Sequence, residues 1–510
     1  MNGALLVAGT HSDAGKSVIV AGLCRWLARQ GVSVAPFKAQ NMALNSAVTA
    51  DGAEIGRAQA MQAAAAMVEP TAQMNPVLIK PGSDTHSHIT VLGRPWRDVD
   101  AAGYQPLKQE LREVALDALR SLRDQYDVVI CEGAGSPAEI NLRVDDLANM
   151  GLARAANLPV VIVGDIDRGG VFASLFGNLA LLDAEDQRLV AGFVINKFRG
   201  DHGILAPGLA QLQALTGRPT YGVLPWRSGI WLEGEDSLSL ESREHEADAA
   251  GSGGVLRVAV VRLPRLSNYT DLDALACESN VVLRFVNGPE QLVDADLVVI
   301  PGTRSTVADL QWLRERGLAD AITRHAASHK PVMGICGGYQ MLGGRIVDGI
   351  ESDVAEIQGL GLLPVETTFS ASKTLQRRSG HHAGLPVDGY QIHHGRVDAR
   401  DATALLLDND GEPEGCVAGV VSGTTWHGVF DRDEFRRDYL RGVAQKAGRA
   451  WKPGSHRFAE LREARLETLA DLVADGLDEA AIRSLIDDGV PHGLPTVTST
   501  LSPAQLEPTR

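Results

Sequence analysis

Two short stretches of this 510-residue chain combine residue types that can do chemistry. The first is Gly9-Thr10-His11-Ser12-Asp13-Ala14-Gly15-Lys16-Ser17, set between an apolar run and a helical pattern that begins at Val18. Backbone N–H groups in such a turn, added to those of a helix N-terminus, form a nest for phosphate oxygens. Lys16 would reach the β- and γ-phosphates of ATP, and the Ser17 hydroxyl would ligate Mg²⁺. Five residues separate Gly9 from Gly15, and Thr10 stands where the common G-x4-G-K-[ST] loop has its first glycine. The expected nucleotide site is therefore Gly9, Thr10, Gly15, Lys16 and Ser17, with Asn196, at the end of a later strand, placed for base recognition. Glu132 closes another apolar strand and is expected opposite Ser17 on the metal, with Glu54 and Asp51 as weaker candidates for the same ion.

The second stretch is Gly334-Ile335-Cys336-Gly337-Gly338, followed by the helical Tyr339-Gln340-Met341-Leu342. Glycines around a strand-to-helix turn let the chain bend sharply enough to lift a nucleophile out of a sheet. The helix N-terminus favours the thiolate, and the N–H of Gly337 can stabilise an oxyanion. Pro301-Gly302-Thr303 follows the preceding strand and offers a second oxyanion donor from Gly302 or Thr303. A cysteine acyl transfer needs a base. His427, in Trp426-His427-Gly428, is the preferred candidate over the histidines at 381, 382, 393 and 394.

Both constellations need strand ends to hold them. Over residues 1–240 short β-rich apolar runs alternate with Ala- and Leu-rich helical patterns, which predicts a parallel α/β sheet. Candidate strands are 4–8, 32–37, 127–131, 160–164 and 189–196. Ligands of such sheets bind at the carboxyl ends of the strands. Residues 241–255 lose the apolar period and read as a linker. From 256 to 450 the α/β rhythm restarts with strands at 256–261, 281–285, 297–300 and 332–335, then turns strand-rich at 360–369, 390–394 and 417–426. Residues 451–510 form a helical C-terminal tail whose Pro-, Ser- and Thr-rich end is expected to be poorly ordered.

Lys and Arg total 48 against 64 Asp and Glu, a formal charge of −16, which disfavours nucleic acid or an anionic membrane as partner. The five cysteines are scattered without a CxxC pair, so a disulfide framework or cysteine zinc site is not expected and a reducing cytoplasm fits. No apolar run reaches the length of a membrane span. Oligomeric state is not legible.

Joined in this order, a phosphate loop and a Cys-His pair of this kind resemble a glutamine-dependent amidotransferase. PFKAQNMALNS (residues 36–46), EIGRAQAMQA (54–63), NPVLIKP (75–81), DIDRGGVFAS (165–174), INKFRGD (195–201), GICGGYQMLG (334–343) and GYQIHHG (389–395) narrow it. These strings closely resemble the cobyric acid synthase family of cobalamin biosynthesis, and the likeness extends to about residue 450. The resemblance implies a dethiobiotin-synthetase-like P-loop domain joined to a class I glutaminase domain. It implies amidation of the b, d, e and g carboxylates of adenosylcobyrinic acid a,c-diamide, using ATP, Mg²⁺ and glutamine. Cobalt would arrive within the corrinoid substrate. Ordinary glutaminases of this class carry His-x-Glu, but Val429 stands at that place here, which leaves the acid behind His427 unassigned. The alternatives are cobyrinic acid a,c-diamide synthase, a cell-wall precursor amidotransferase and a ParA-like ATPase switch. The second lysine usual in the loop of such switches is missing between His11 and Ala14.

Overall fold

The apolar runs of the first half pair into a six-stranded parallel sheet. Its order is Thr220–Pro225, Val190–Phe198, Val160–Asp165, Gly3–Gly9, Val128–Glu132, Val34–Phe37. The central runs are rich in Val, Ile, Leu and Ala and are buried except at Gly3, as strands covered by helices on both faces must be. Parallel pairing sets Val7 opposite Glu132, Gly9 opposite Val163 and Asp165 opposite Asn196. The phosphate loop, Glu132 and Asn196 are thereby gathered at one carboxyl edge. The computed structural model describes residues 1–82, 86–227, 254–352, 354–399 and 402–497. The expected linker, save for residues 254 and 255, and the end of the tail from 498 onward lie outside the described residues.

The second half builds another six-stranded sheet. Its order is Val281–Val286, Leu256–Val261, Leu297–Ile300, Val332–Ile335, Val421–Thr424, Cys416–Ala418, and only the last strand is antiparallel. Residues 417–426 thus divide into two strands, because Gly419 takes φ 62° and reverses the chain. Pro301, Cys336 and Thr425 each follow a neighbouring strand at the same edge, so a second site is assembled by the same rule as the first.

Two long strands, Glu366–His382 and Leu385–Asp398, form a hairpin that reaches across to the first domain. Lys373 of this hairpin bonds Glu54 at 2.6 Å, and Arg377 donates to the Val48 carbonyl at 2.8 Å. Residues 360–369 and 390–394 are therefore parts of a longer ribbon whose polar middle, SASKTLQRR, carries no apolar alternation.

The tail returns to the beginning of the chain. Helices Phe458–Gly476 and Glu479–Asp488 lay Leu466, Leu469, Leu472, Val473, Ile482, Leu485 and Ile486 against Ile19, Val20, Leu23 and Leu27 of the helix Lys16–Arg29. Each fully buried Leu or Ile of this seam contributes roughly 1.5–3 kcal/mol. The helices touch at Gly22, where an added Cβ would lie 2.7 Å from the Leu469 carbonyl oxygen. Glycine at that position permits the close crossing. Arg25, 1% exposed, pairs with Glu463 and Glu467 on the tail.

Candidate active site

At the first edge, Gly15 adopts φ 99° and caps the helix that Lys16 begins. The left-handed turn puts the amides of the loop and the helix end on one side, as an anion nest requires. The Thr10 N–H is fixed to the Val163 carbonyl at 2.9 Å. Lys16 Nζ lies on the carbonyls of His11 (3.0 Å) and Gly135 (3.2 Å), across the mouth of the loop. Asn196 donates to the Ala14 carbonyl at 3.0 Å, so its amide braces the loop. Lys197 holds the same loop through the Asp13 carbonyl at 2.9 Å and pairs with Asp165 at 2.7 Å.

Glu132 is the buried acid here. It accepts from the Ser17 hydroxyl at 2.9 Å, from Lys38 at 3.0 Å and from Gln62 at 2.5 Å. Burial disfavours the anion, but Lys38, Gln62 and Lys16 together hold the carboxyl below the usual carboxylate range. Glu54 has a different environment, which corrects the expectation that it shares the ion with Ser17. Its carboxylate is enclosed by Lys80, Lys373 and the Ser46 hydroxyl at the contact between the domains. Those ammonium groups outweigh its burial and keep it ionised, and they leave it as an interface anchor. Asp51 is likewise removed from the site: it sits in the turn between Ser46–Val48 and Glu54–Gly56 and accepts from the Thr49 hydroxyl.

At the second edge, Cys336 has φ 50° and ψ −109° directly before the helix Gly337–Leu342. Residues other than glycine normally avoid this strained backbone, and it is the kind of turn that a nucleophile elbow requires. Its Sγ lies 3.9 Å from the Ile392 carbonyl, and Cys336 is one of the groups that favour the protonated imidazole of His427. The Thr303 amide nitrogen would lie 3.2 Å from a Cβ placed on Gly337, and Gly302 packs against the His427 ring. The structure thus brings Cys336, His427, Gly302, Thr303 and Gly337 together.

Asp271 was absent from the sequence reading and stands behind His427. Its Oδ2 accepts from the imidazole Nδ1 at 2.7 Å, and its Oδ1 accepts from the Gly428 N–H at 2.8 Å. Burial would depress the imidazole pKa, but Asp271 and Cys336 reverse that and raise it to about 10. The signal was present in Asn268-Tyr269-Thr270-Asp271, a polar segment after the first strand of the second domain. It was missed because this acid precedes its histidine by more than a hundred residues of chain, whereas the acid looked for lies just beyond it.

Residues 5–239 match the family model of the CobQ/CobB/MinD/ParA nucleotide binding domain, and residues 257–435 that of the CobB/CobQ-like glutamine amidotransferase domain. Cobyric acid synthase of Frankia casuarinae is 60% identical over 98% of this chain and 99% of its own length. The Streptomyces coelicolor protein of that name is 58% identical over 98% and 99%, and that of Rhodococcus jostii 56% over 98% of each. The chain belongs to the cobyric acid synthase family. As a cobyric acid synthase family member it is an ATP-dependent, amide-forming ligase that takes its nitrogen from glutamine, in cobalamin biosynthesis. Among the described residues of this family member, no helix is long and apolar enough to cross a membrane.

Proposed function

We propose that this chain amidates the b, d, e and g carboxylates of adenosylcobyrinic acid a,c-diamide in turn, giving adenosylcobyric acid. One observation carries the reading. Cys336, His427 and Asp271 stand in one domain, Lys16, Ser17 and Glu132 in the other, and buried contacts join the domains through Asn45, Ser46 and Glu54.

Cys336 attacks the amide carbon of glutamine as His427 takes the thiol proton. The oxyanion is met by the N–H groups of Gly337 and of Gly302 or Thr303. His427 returns the proton to the leaving nitrogen, ammonia departs, and water hydrolyses the thioester to glutamate. Asp271 keeps the imidazole in one orientation and stabilises its protonated form. In the first domain the phosphate loop and Lys16 orient ATP while a substrate carboxylate oxygen attacks the γ-phosphorus, forming an acyl phosphate and ADP. Ammonia then adds to the acyl carbon and phosphate leaves. Activation is needed because a carboxylate is a poor electrophile. Release of ammonia beside its target limits its loss as ammonium.

The Ser17 hydroxyl, the Glu132 carboxylate and Gln62 Oε1, which is buried without a partner among the described residues, are oxygen donors of the kind that would hold Mg²⁺. Held there, the ion would neutralise charge on the phosphates.

Mass spectrometry of the protein incubated with ATP, Mg²⁺, glutamine and the a,c-diamide tests the reading. Stepwise losses of about one mass unit, each replacing OH by NH₂ until all four positions are converted, are expected. ATP hydrolysis with unchanged corrinoid would reject it.

A further inference from the structure

His427 is held from both sides by one short segment of chain. Asn268 takes φ 52° at the start of the turn Tyr269–Leu272, which carries Asp271. Asp271 accepts from Nδ1, which fixes the tautomer and leaves the Nε2 lone pair as an acceptor. Asn268 Nδ2 lies 3.3 Å from that Nε2. The imidazole is therefore clamped at both nitrogens by residues three apart in the chain.

The clamp itself rests on the other domain. Asn268 Oδ1 accepts from the backbone N–H of Ser46 at 2.8 Å, and the Tyr269 N–H donates to Asn45 Oδ1 at 3.2 Å. All these groups are buried: Asn45 and Ser46 are 1% and 0% exposed, and Asn268 is 3% exposed. The Ser46 hydroxyl donates to Glu54 at 2.8 Å and accepts from Lys80 at 2.7 Å. The interdomain anchor and the histidine clamp thus share a residue. A carboxamide that accepts at one end and donates at the other can transmit a displacement of Ser46 directly to Nε2.

We propose that Asn268 is a positioning residue for His427, and that Asn45 and Ser46 of the phosphate-loop domain hold it in place, so that the glutaminase site is completed only across the domain interface. The proposal rests on the assignment of Cys336 and His427 given under Proposed function. By donating to Nε2, Asn268 fixes the plane of the ring and opposes its protonation, against Asp271 and Cys336, which favour the imidazolium. A loss of that contact leaves Asp271 in place, and Tyr390 stacked on the ring, but removes the restraint at its Nε2 end.

The test compares glutamine hydrolysis with ammonia-supported amidation in the full-length protein. Asn45→Ala is expected to lower kcat for glutamine hydrolysis about tenfold or more, with the glutamine KM and ammonia-supported amidation unchanged. Asn45→Asp keeps the acceptor for the Tyr269 N–H and should retain hydrolysis. Asn268→Asp has the same shape but puts an acceptor against Nε2. It should favour the imidazolium and move the acidic limb of the kcat profile to higher pH. Among the described residues Asp271, Cys336, His393 and Tyr390, whose ring stacks on the imidazole at 5.3 Å, are the other ionisable groups facing that ring, and all are retained in this variant. An Asn45→Ala protein with unchanged hydrolysis, or one losing both activities equally, would overturn the proposal, as would an unmoved profile in Asn268→Asp. Should Asn45→Ala fail to fold, the Asn268→Asp profile decides alone. Glutamine hydrolysis by Cys336→Ala would instead reject the underlying assignment, whatever the Asn45 variants do.

Discussion

Gly15 and Cys336 occupy equivalent places, each at a sharp turn from a buried strand into a helix, and both have positive φ, 99° and 50°. The first turn has only to present backbone N–H groups, so glycine meets the requirement without strain. The second must present a side chain, so the chain tolerates a residue where glycine would sit more comfortably, at about 1–3 kcal/mol. Support differs as well. The helix after Gly15 is backed by the C-terminal helices, whereas Cys336 belongs to a core built almost wholly from the second domain's own sheet, hairpin and helix Asp433–Lys446. On the proposed assignments, what separates the two turns is whether the residue of positive φ contributes its main chain or its side chain.

The comparison breaks most sharply if either turn is silenced. Cys336→Ala should abolish glutamine-dependent amidation and leave ammonia-dependent amidation intact, while Lys16→Ala should remove both; paired assays with glutamine and ammonium salts decide. The next effect is Asp271→Asn. It should cut kcat for glutamine hydrolysis about a hundredfold or more, as loss of an orienting acid does in triads. The same variant has a signature in stability. The folded pKa of His427 is raised from 6.5 to about 10, so the stabilisation is full below pH 6.5 and lost as pH rises through 10. The excess stability of the unaltered protein over Asp271→Asn should accordingly shrink across that window in denaturant titrations.

Leu469→Ala probes the support behind Gly15. It should cost about 2–5 kcal/mol and weaken nucleotide binding, with glutamine hydrolysis less affected, as seen by denaturant melts beside a nucleotide titration. The smallest effect tests the strain itself. Cys336→Gly should be more stable than Cys336→Ala by about 1 kcal/mol, although both are inactive. Equal melting curves would remove the strain from the account.

Much of this was legible because the strands are continuous runs of Val, Ile, Leu and Ala, and because each site is written in adjacent residues at a strand end. Gly9 to Ser17 and Gly334 to Gly338 carry their chemistry locally. Asp271 does not. It is defined by the meeting of a loop after one strand with a histidine after another, and spacing along the chain gives no hint of that. Glu54 was misread for the same reason. Its type suits a metal, but Lys80 and Lys373, brought in by a separate strand and by the second domain, determine what it does. The long hairpin escaped notice because its polar middle is stabilised by contacts with the first domain, and such contacts leave no period in the sequence.

The return of residues 463–486 to the helix that begins at Lys16 sets an order of events during synthesis. The phosphate-loop domain lacks one wall of its core until those residues have left the ribosome, whereas the sheet bearing Cys336 is translated entirely before them. A growing chain would therefore acquire its glutaminase fold first and complete its ATP-using fold afterwards, around a domain already formed. In topological terms the ammonia-producing domain is an insertion within the ammonia-consuming one.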